Sequence, residues 1–387
     1  MKVSFVSLLT TAVVALSTFT LSVSAACPNG VQVRREIRTL TPAERDRFWN
    51  AVRTIRDNGQ LEHLTKIHNE YQEIVHNNAN FLPWHRALVY FFQELIYSAG
   101  GGTIPYWQWG WDYQNPGQSA VLKDWMAGGD GRGGCVRDGP MAGMSYRYPS
   151  THCLVRQFAN GGAIPPWPSD TMVASVIYQN KDYASFAMAL ELQIHPHAHN
   201  NIGGDMSTMY SPNDPIFYLH HANIDRHYYM WQAQDWARRN NAYGGANRNN
   251  SPARLTDPLP GLKGTIADFM DPREQLCYTY DDIGAAHLNA MSAVFNALPG
   301  DAMKKFFGGM QNDPQAVSMM RHAHANAEQD PDAAAAAAAA ALEGIVAPPP
   351  LDPNWVKMMG MNATEVNRGH EMFNELVAAL KAVAKRS

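Results

Sequence analysis

The chain has 387 residues, 45% of them hydrophobic and 17% charged, which suffices for a sizeable core and leaves room for two or three domains. A net charge of −4 and a pI near 6.4 exclude the basic footprint of a nucleic-acid binder. Beyond the first 25 residues no run reaches about eighteen consecutive apolar positions, which excludes a membrane-spanning helix from that part of the chain.

The N-terminus carries the pattern of a secretory signal: Lys2, an apolar run from Val3 to Val14, and the small-residue site Val23-Ser24-Ala25. Residues 1–25 are therefore expected to be removed and the mature protein to be secreted, with no membrane partner. In that setting the four cysteines, Cys27, Cys135, Cys153 and Cys277, predict two disulfides. Three connectivities are open. Cys135 and Cys153 bracket a Gly- and Pro-bearing loop and suit a local bridge, which leaves Cys27 with Cys277. Asn362-Ala363-Thr364 is a glycosylation sequon, with Asn362 as the acceptor.

Thr41-Pro42-Ala43-Glu44 is a capping box with proline at the first helical position. Phe48, Val52 and Ile55 follow at helical spacing. A second helix places Leu61, Leu64, Ile67, Tyr71 and Ile74 on one side, and Asn77-Asn78-Ala79-Asn80 breaks it. Pro83 opens a third, running to about Tyr97 before Gly100-Gly101-Gly102. From Thr103 to Asp170 the chain reads as a long irregular segment, uncommon unless a disulfide or a function holds it. Helical periodicity resumes near Asp182 and runs to about His199. A further helix starts at Asp214-Pro215, capped by Asn213 or Asp214, and continues to about Arg239. The nine alanines Ala333 to Ala341 and Pro348-Pro349-Pro350 mark a linker at 332–350. The last segment sets Phe373, Leu376, Leu380 and Val383 on one helical face.

Six of the fifteen histidines fall into two groups of three. His195 and His199 stand four apart, so a helix offers both imidazoles to one metal, with His221 supplying a third from the next helix. Asp225, one turn beyond His221, is positioned to orient an imidazole. The other group, His68, His76 and His85, needs a bend, because a continuous helix would hold the first two about 12 Å apart. His76 is therefore expected in a loop. His197 falls on the far side of its helix. Periodicity does not choose between His220 and His221. Imidazole donors suit zinc and copper alike, and the chain lacks the pair of Glu-x-x-His motifs that a carboxylate-bridged di-iron bundle requires.

The motifs around these histidines narrow the choice. Phe81-Leu82-Pro83-Trp84-His85-Arg86 and Asp214-Pro215-Ile216-Phe217-Tyr218-Leu219-His220-His221 resemble the first and second copper motifs of the tyrosinases. Cys277-Tyr278-Thr279-Tyr280 resembles the Tyr-x-Tyr signature that closes their core. The resemblance covers roughly residues 35 to 285. It implies a mainly α fold, a four-helix bundle housing a dinuclear type 3 copper site, with long irregular loops and a helical C-terminal extension. It also implies that His68, His76, His85, His195, His199 and His221 bind two copper ions and that His220 does not. The domains expected are the signal at 1–25, a copper-binding core at 26–285 and an extension at 286–387.

The implied activity is oxidation of phenolic small molecules by dioxygen to o-quinones. By the family pattern Glu191, four residues before His195, holds a water. An asparagine that follows the first ligand in many members, and helps that water take a phenol proton, is here Pro196. Ile74 stands where many fungal tyrosinases carry a cross-linking cysteine. These departures predict o-diphenol oxidation with weak monophenol hydroxylation. Oxidation of o-aminophenols or methoxyphenols is the alternative within the family, and a haemocyanin-like oxygen carrier is the alternative from another class.

Overall fold

In the computed structural model the described residues are 27–28, 30–281, 298–308, 310 and 344–384. The expected signal, the alanine run, and His287, His322 and His324 lie outside them. Strand β1 (Gln32–Arg34) pairs in parallel with a distant partner described below. Helix α1 (Pro42–Asp57) starts on the expected capping box: Thr41 and Glu44 satisfy each other's backbone N–H groups. It buries Phe48, Trp49, Val52 and Ile55.

Helix α2 (Gln60–Glu70) buries Leu61, Leu64, Ile67 and His68. It breaks at Tyr71, restarts as the single turn α3 (Gln72–Val75), and leaves His76 extended at φ −120°, ψ 155°. The bend that His68 and His76 require is therefore present. It takes Ile74 off the buried side expected of it, to 41% exposure. Helix α4 (Phe81–Ser98) begins two residues ahead of Pro83. Proline is tolerated there because the first N–H groups of a helix have no intrahelical partner.

The segment after α4 is irregular, as its composition predicts, and packs the fully buried Trp107, Trp109 and Trp167. Two small antiparallel pairs order it: β2 (Gly134–Cys135) with β5 (Val155–Arg156), and β3 (Ser145–Tyr146) with β4 (His152–Cys153). The Cys135–Cys153 disulfide ties them together. Helix α5 (Asp170–Gln179), capped by Ser169, was not expected from the pattern. Every residue from Asp170 to Tyr178 is buried, so no polar face gives it a helical period.

Helix α6 (Tyr183–Ala189) runs through one π turn, Leu190–Ile194, into α7 (Pro196–Ile202). Pro196 accounts for that turn. A proline inside a helix clashes with the carbonyl four residues back, here Leu192. The widened turn, closed by His195 N–H donating to Leu190 O at 3.0 Å, relieves the clash. Helix α8 (Ile216–Ala233) is capped by Asp214, whose carboxylate accepts the Ile216 N–H at 3.0 Å. It stops short of the expected Arg239, and Trp236–Arg239 forms a separate turn, α9.

Strand β6 (Tyr278–Tyr280) pairs with β1 in the register Gln32↔Tyr278 to Arg34↔Tyr280, beside the Cys27–Cys277 disulfide. Helices α2, α4, α6–α7 and α8 thus form the four-helix bundle. No helix among the described residues is long and apolar enough to cross a membrane. Beyond the short α10 (Gly300–Phe307), the extension returns as α11 (Pro353–Met358) and α12 (Ala363–Ala384). Phe373, Leu376 and Leu380 of α12 join the main core. Gly369 lies so close to the π turn that a Cβ would sit 2.2 Å from Gln193 Cγ.

Asp225 corrects an expectation. Its carboxylate does not reach an imidazole. It accepts from Arg34 at 3.0 Å, from Arg86, and from the hydroxyls of Tyr278 and Tyr280. This one buried acid joins β1, α4, α8 and β6. Burial alone would raise its pKa, but the Arg86 and Arg34 charges and the two phenols outweigh that and hold it below the usual carboxylate range. A depressed pKa contributes stability above the ordinary carboxylate value, and that stability is lost as pH falls through the lowered folded value. Asp225→Asn should therefore cost about 3–5 kcal/mol near neutral pH. It should also flatten the acid limb of a melting-temperature profile, measured by circular dichroism against pH.

Candidate metal centre

The two histidine groups lie side by side in the bundle. His68 comes from the last turn of α2, His76 from the extended residue after α3, and His85 from the first turns of α4. Their ring centroids are 5.1, 5.4 and 4.8 Å apart. His195 stands at the junction between the π turn and α7, His199 on α7, and His221 on α8. These rings are 4.6, 5.0 and 5.4 Å apart. The groups meet where His85 stacks on His221 at 4.6 Å. Phe81 packs against His85 and His195, and Phe217 against His68, His199 and His221.

Five of the six rings are oriented the same way. Nδ1 of His68, His76, His85, His195 and His199 faces a backbone carbonyl, that of Met209, Gln72, Phe81, Glu191 and Met206, at 2.7, 2.9, 2.8, 3.4 and 2.7 Å. A carbonyl only accepts, so each ring donates through Nδ1–H and keeps its lone pair on Nε2. Nε2 of His68, His85 and His195 is buried without a hydrogen-bond partner. Nε2 of His199 and His221 approach to 3.2 Å. Two nitrogens bound to one tetrahedral metal at about 2.0 Å would be about 3.3 Å apart. That spacing fits a metal ion in the second group, and the ligand nitrogens of the first group, all within 4.8 Å of one another, can likewise converge on one.

Burial sets the protonation. All six rings are 6% exposed or less. Desolvation lowers His76 and His199 to about 4, and it lowers His68, His85, His195 and His221 well below the ordinary value, with neighbouring imidazoles adding to the effect on these four. Neutral imidazole is the form that binds a metal.

His220 also lies within reach of the second group. Its Nδ1, however, accepts the Trp109 indole N–H at 3.2 Å, which puts its own proton on Nε2. It thus keeps no free lone pair to turn inward. His197 is buried on the opposite side of α7, against Pro348–Pro350 and His370 of the extension.

Glu191 is 2% exposed. Its carboxylate accepts the backbone N–H of Asn77, next to His76, at 2.7 Å. Burial pushes it up to about 8, partly offset by that bond. It lines a cavity of about 300 Å³ together with Asn77, Met188, Asn247 and Asn362. The carbonyls of Met206 and Met209 escaped the sequence reading because a backbone acceptor leaves no trace in residue type. The Trp109–His220 bond escaped it because the two residues lie 111 positions apart.

Residues 56–234 match the tyrosinase family, described as the common central domain of tyrosinase. Tyrosinase ustQ of Aspergillus flavus is 32% identical over 282 residues, which span 64% of this chain and 79% of that protein. A polyphenol oxidase from Thermothelomyces thermophila superposes with a TM-score of 0.58 at 25% identity, covering 65% of this chain and 89% of that one. A functional unit of octopus hemocyanin shares the fold, with a TM-score of 0.50 at 20% identity over 65% of this chain and 68% of that one.

The ring assignments make a direct prediction. His220→Gln should still take up about two coppers per chain, whereas His221→Gln should hold about one, as measured by atomic absorption after gel filtration.

Proposed function

The chain belongs to the tyrosinase family of type 3 copper oxidases, and from that premise we propose that its principal reaction is the oxidation of o-diphenols to o-quinones. In this reading His68, His76 and His85 hold one copper, and His195, His199 and His221 the other. When bound, the copper pair supplies the redox step that carries electrons from the diphenol to dioxygen. Two diphenols give up four electrons and four protons, which reduce one dioxygen to two waters.

The chain's own residues bind, shield and handle protons. Phe81 and Phe217 wall the rings off from water, which strengthens every polar interaction inside. Glu191, buried four residues before His195, is the group we assign to hold the water that receives a substrate proton. Pro196 carries the substrate preference. It offers no side-chain acceptor beside that water, and one Glu191 oxygen is already engaged by the Asn77 N–H. A water so poorly supported is a weak base toward a simple phenol, whose pKa is about 10.

The described part of the extension supports a cover over this region. Trp355 donates its indole N–H to the Ser207 carbonyl at 3.2 Å, and Asn77 donates to the Met359 carbonyl at 3.3 Å. Leu351, Trp355, Met359 and Met361 pack with Leu192 of the π turn and Met209. In this reading 26–285 is the catalytic core and 286–387 gates it. The leader at 1–25, the two disulfides and the exposed sequon asparagine Asn362 support secretion as a glycoprotein.

Turnover of catechol should exceed that of tyrosine or tyramine at least about tenfold, and Pro196→Asn should narrow the gap. Comparable rates on monophenols and catechol in the unaltered chain would contradict the preference. Trp355→Ala with Met359→Ala, which loosens the cover while leaving α12 in the main core, should raise catechol turnover several-fold in an oxygen-uptake assay. An unchanged rate would contradict gating.

A further inference from the structure

His68 and His199 belong to different helices and different metal halves, yet one short segment orients both. Their Nδ1–H groups donate to the carbonyls of Met209 and Met206, three residues apart, each at 2.7 Å. The segment 203–214 is thus a brace common to both halves. Its ends are fixed. At Gly203 and Gly204 a Cβ would lie 2.1 and 2.2 Å from the carbonyl oxygens of Gln157 and Val155, so only glycine fits against that backbone. At the far end, Arg156 grips the Asp214 carboxylate through two bonds of 2.6 and 2.8 Å.

The middle of the brace is a run of tight turns that starts at Asp205. The Asp205 carbonyl accepts both the N–H and the hydroxyl of Thr208, at 3.1 and 2.8 Å. Its side chain is 2% exposed and reaches His152 Nε2 at 3.1 Å. His152 Nδ1 already donates to Ser150 O at 2.7 Å. Nε2 and the carboxyl group therefore meet across one shared proton, as a hydrogen bond between the two side chains. His152 lies next to Cys153, bridged to Cys135, so it is anchored to the disulfide-closed loop.

We propose that His152 and Asp205 are a positioning pair that holds the brace, and through it one imidazole of each metal half. The pair touches none of the six imidazoles of the metal centre. It acts because a metal tolerates a shift of only about 0.2 Å in its ligands, and both carbonyls ride on the turns that Asp205 opens. Groups that hydrogen-bond a ligand directly typically account for about 10–100-fold in metal affinity, which sets the ceiling for a pair acting one step further out.

The inference rests on His68 and His199 being copper ligands, and the test separates the two claims. Copper-loaded full-length chain is challenged with excess bicinchoninate under reducing conditions. Copper per chain is followed by atomic absorption, and re-oxidised aliquots are examined by electron paramagnetic resonance. Circular dichroism melting checks the fold. His152→Ala should release copper several-fold, up to about tenfold, faster than the unaltered chain. The two ions should leave together, without accumulation of a mononuclear cupric signal. His152→Gln, which can still donate to Asp205, should restore most of the retention. Release from His152→Ala at the unaltered rate, or loss of one copper with a persistent mononuclear signal, would overturn the pairing. An unaltered chain that never holds about two coppers would overturn the ligand assignment instead.

Discussion

The centre depends on where five imidazole protons go. Each of those rings donates Nδ1–H to a main-chain carbonyl, so each lone pair turns toward the space between the helices. No side-chain carboxylate does this work among those rings. Carbonyls are neutral and fixed by the fold, so they set the tautomer without placing negative charge beside the metal. The cost is six neutral rings buried with few polar partners, several of their nitrogens unsatisfied. Such burial is tolerable where a ligand or metal completes the bonding.

A second buried cluster supports the first from behind. Asp225, Arg34, Arg86, Tyr278 and Tyr280 link the first strand to the last and both to helices α4 and α8. Those two helices carry His85 and His221, whose stacked rings form the seam between the metal halves. Fixing the helices near Asp225, one turn from His221, therefore fixes the seam. The Cys27–Cys277 bridge closes the same region in sequence, next to the paired strands.

Much of this was legible in the sequence where side-chain type carries the signal. The capping box at Thr41 and the need for a bend between His68 and His76 follow from residue chemistry alone. The break itself falls at Tyr71, ahead of the Asn-rich stretch expected to make it. The choice of Asp214 over Asn213, and of one disulfide connectivity out of three, came from the fold. The six histidines were legible as two groups, and motif resemblance separated His221 from His220. The physical ground for that separation, the Trp109 indole on His220, is a tertiary contact that periodicity cannot carry. Helix α5 was hidden because it is buried on all sides. Asp225 was misread because helical spacing shows which residues are neighbours, not that two arginines from elsewhere compete for the same carboxylate. The brace at 203–214 was illegible because its acceptors are backbone atoms.

The central claim is that six imidazoles, and nothing else from the chain, hold two coppers. Copper K-edge X-ray absorption on the copper-loaded protein tests it most directly. The account predicts about three imidazole nitrogens per copper at about 2 Å, with no sulfur donor. A sulfur shell, a carboxylate-dominated shell, or a protein that retains zinc in place of copper would contradict it.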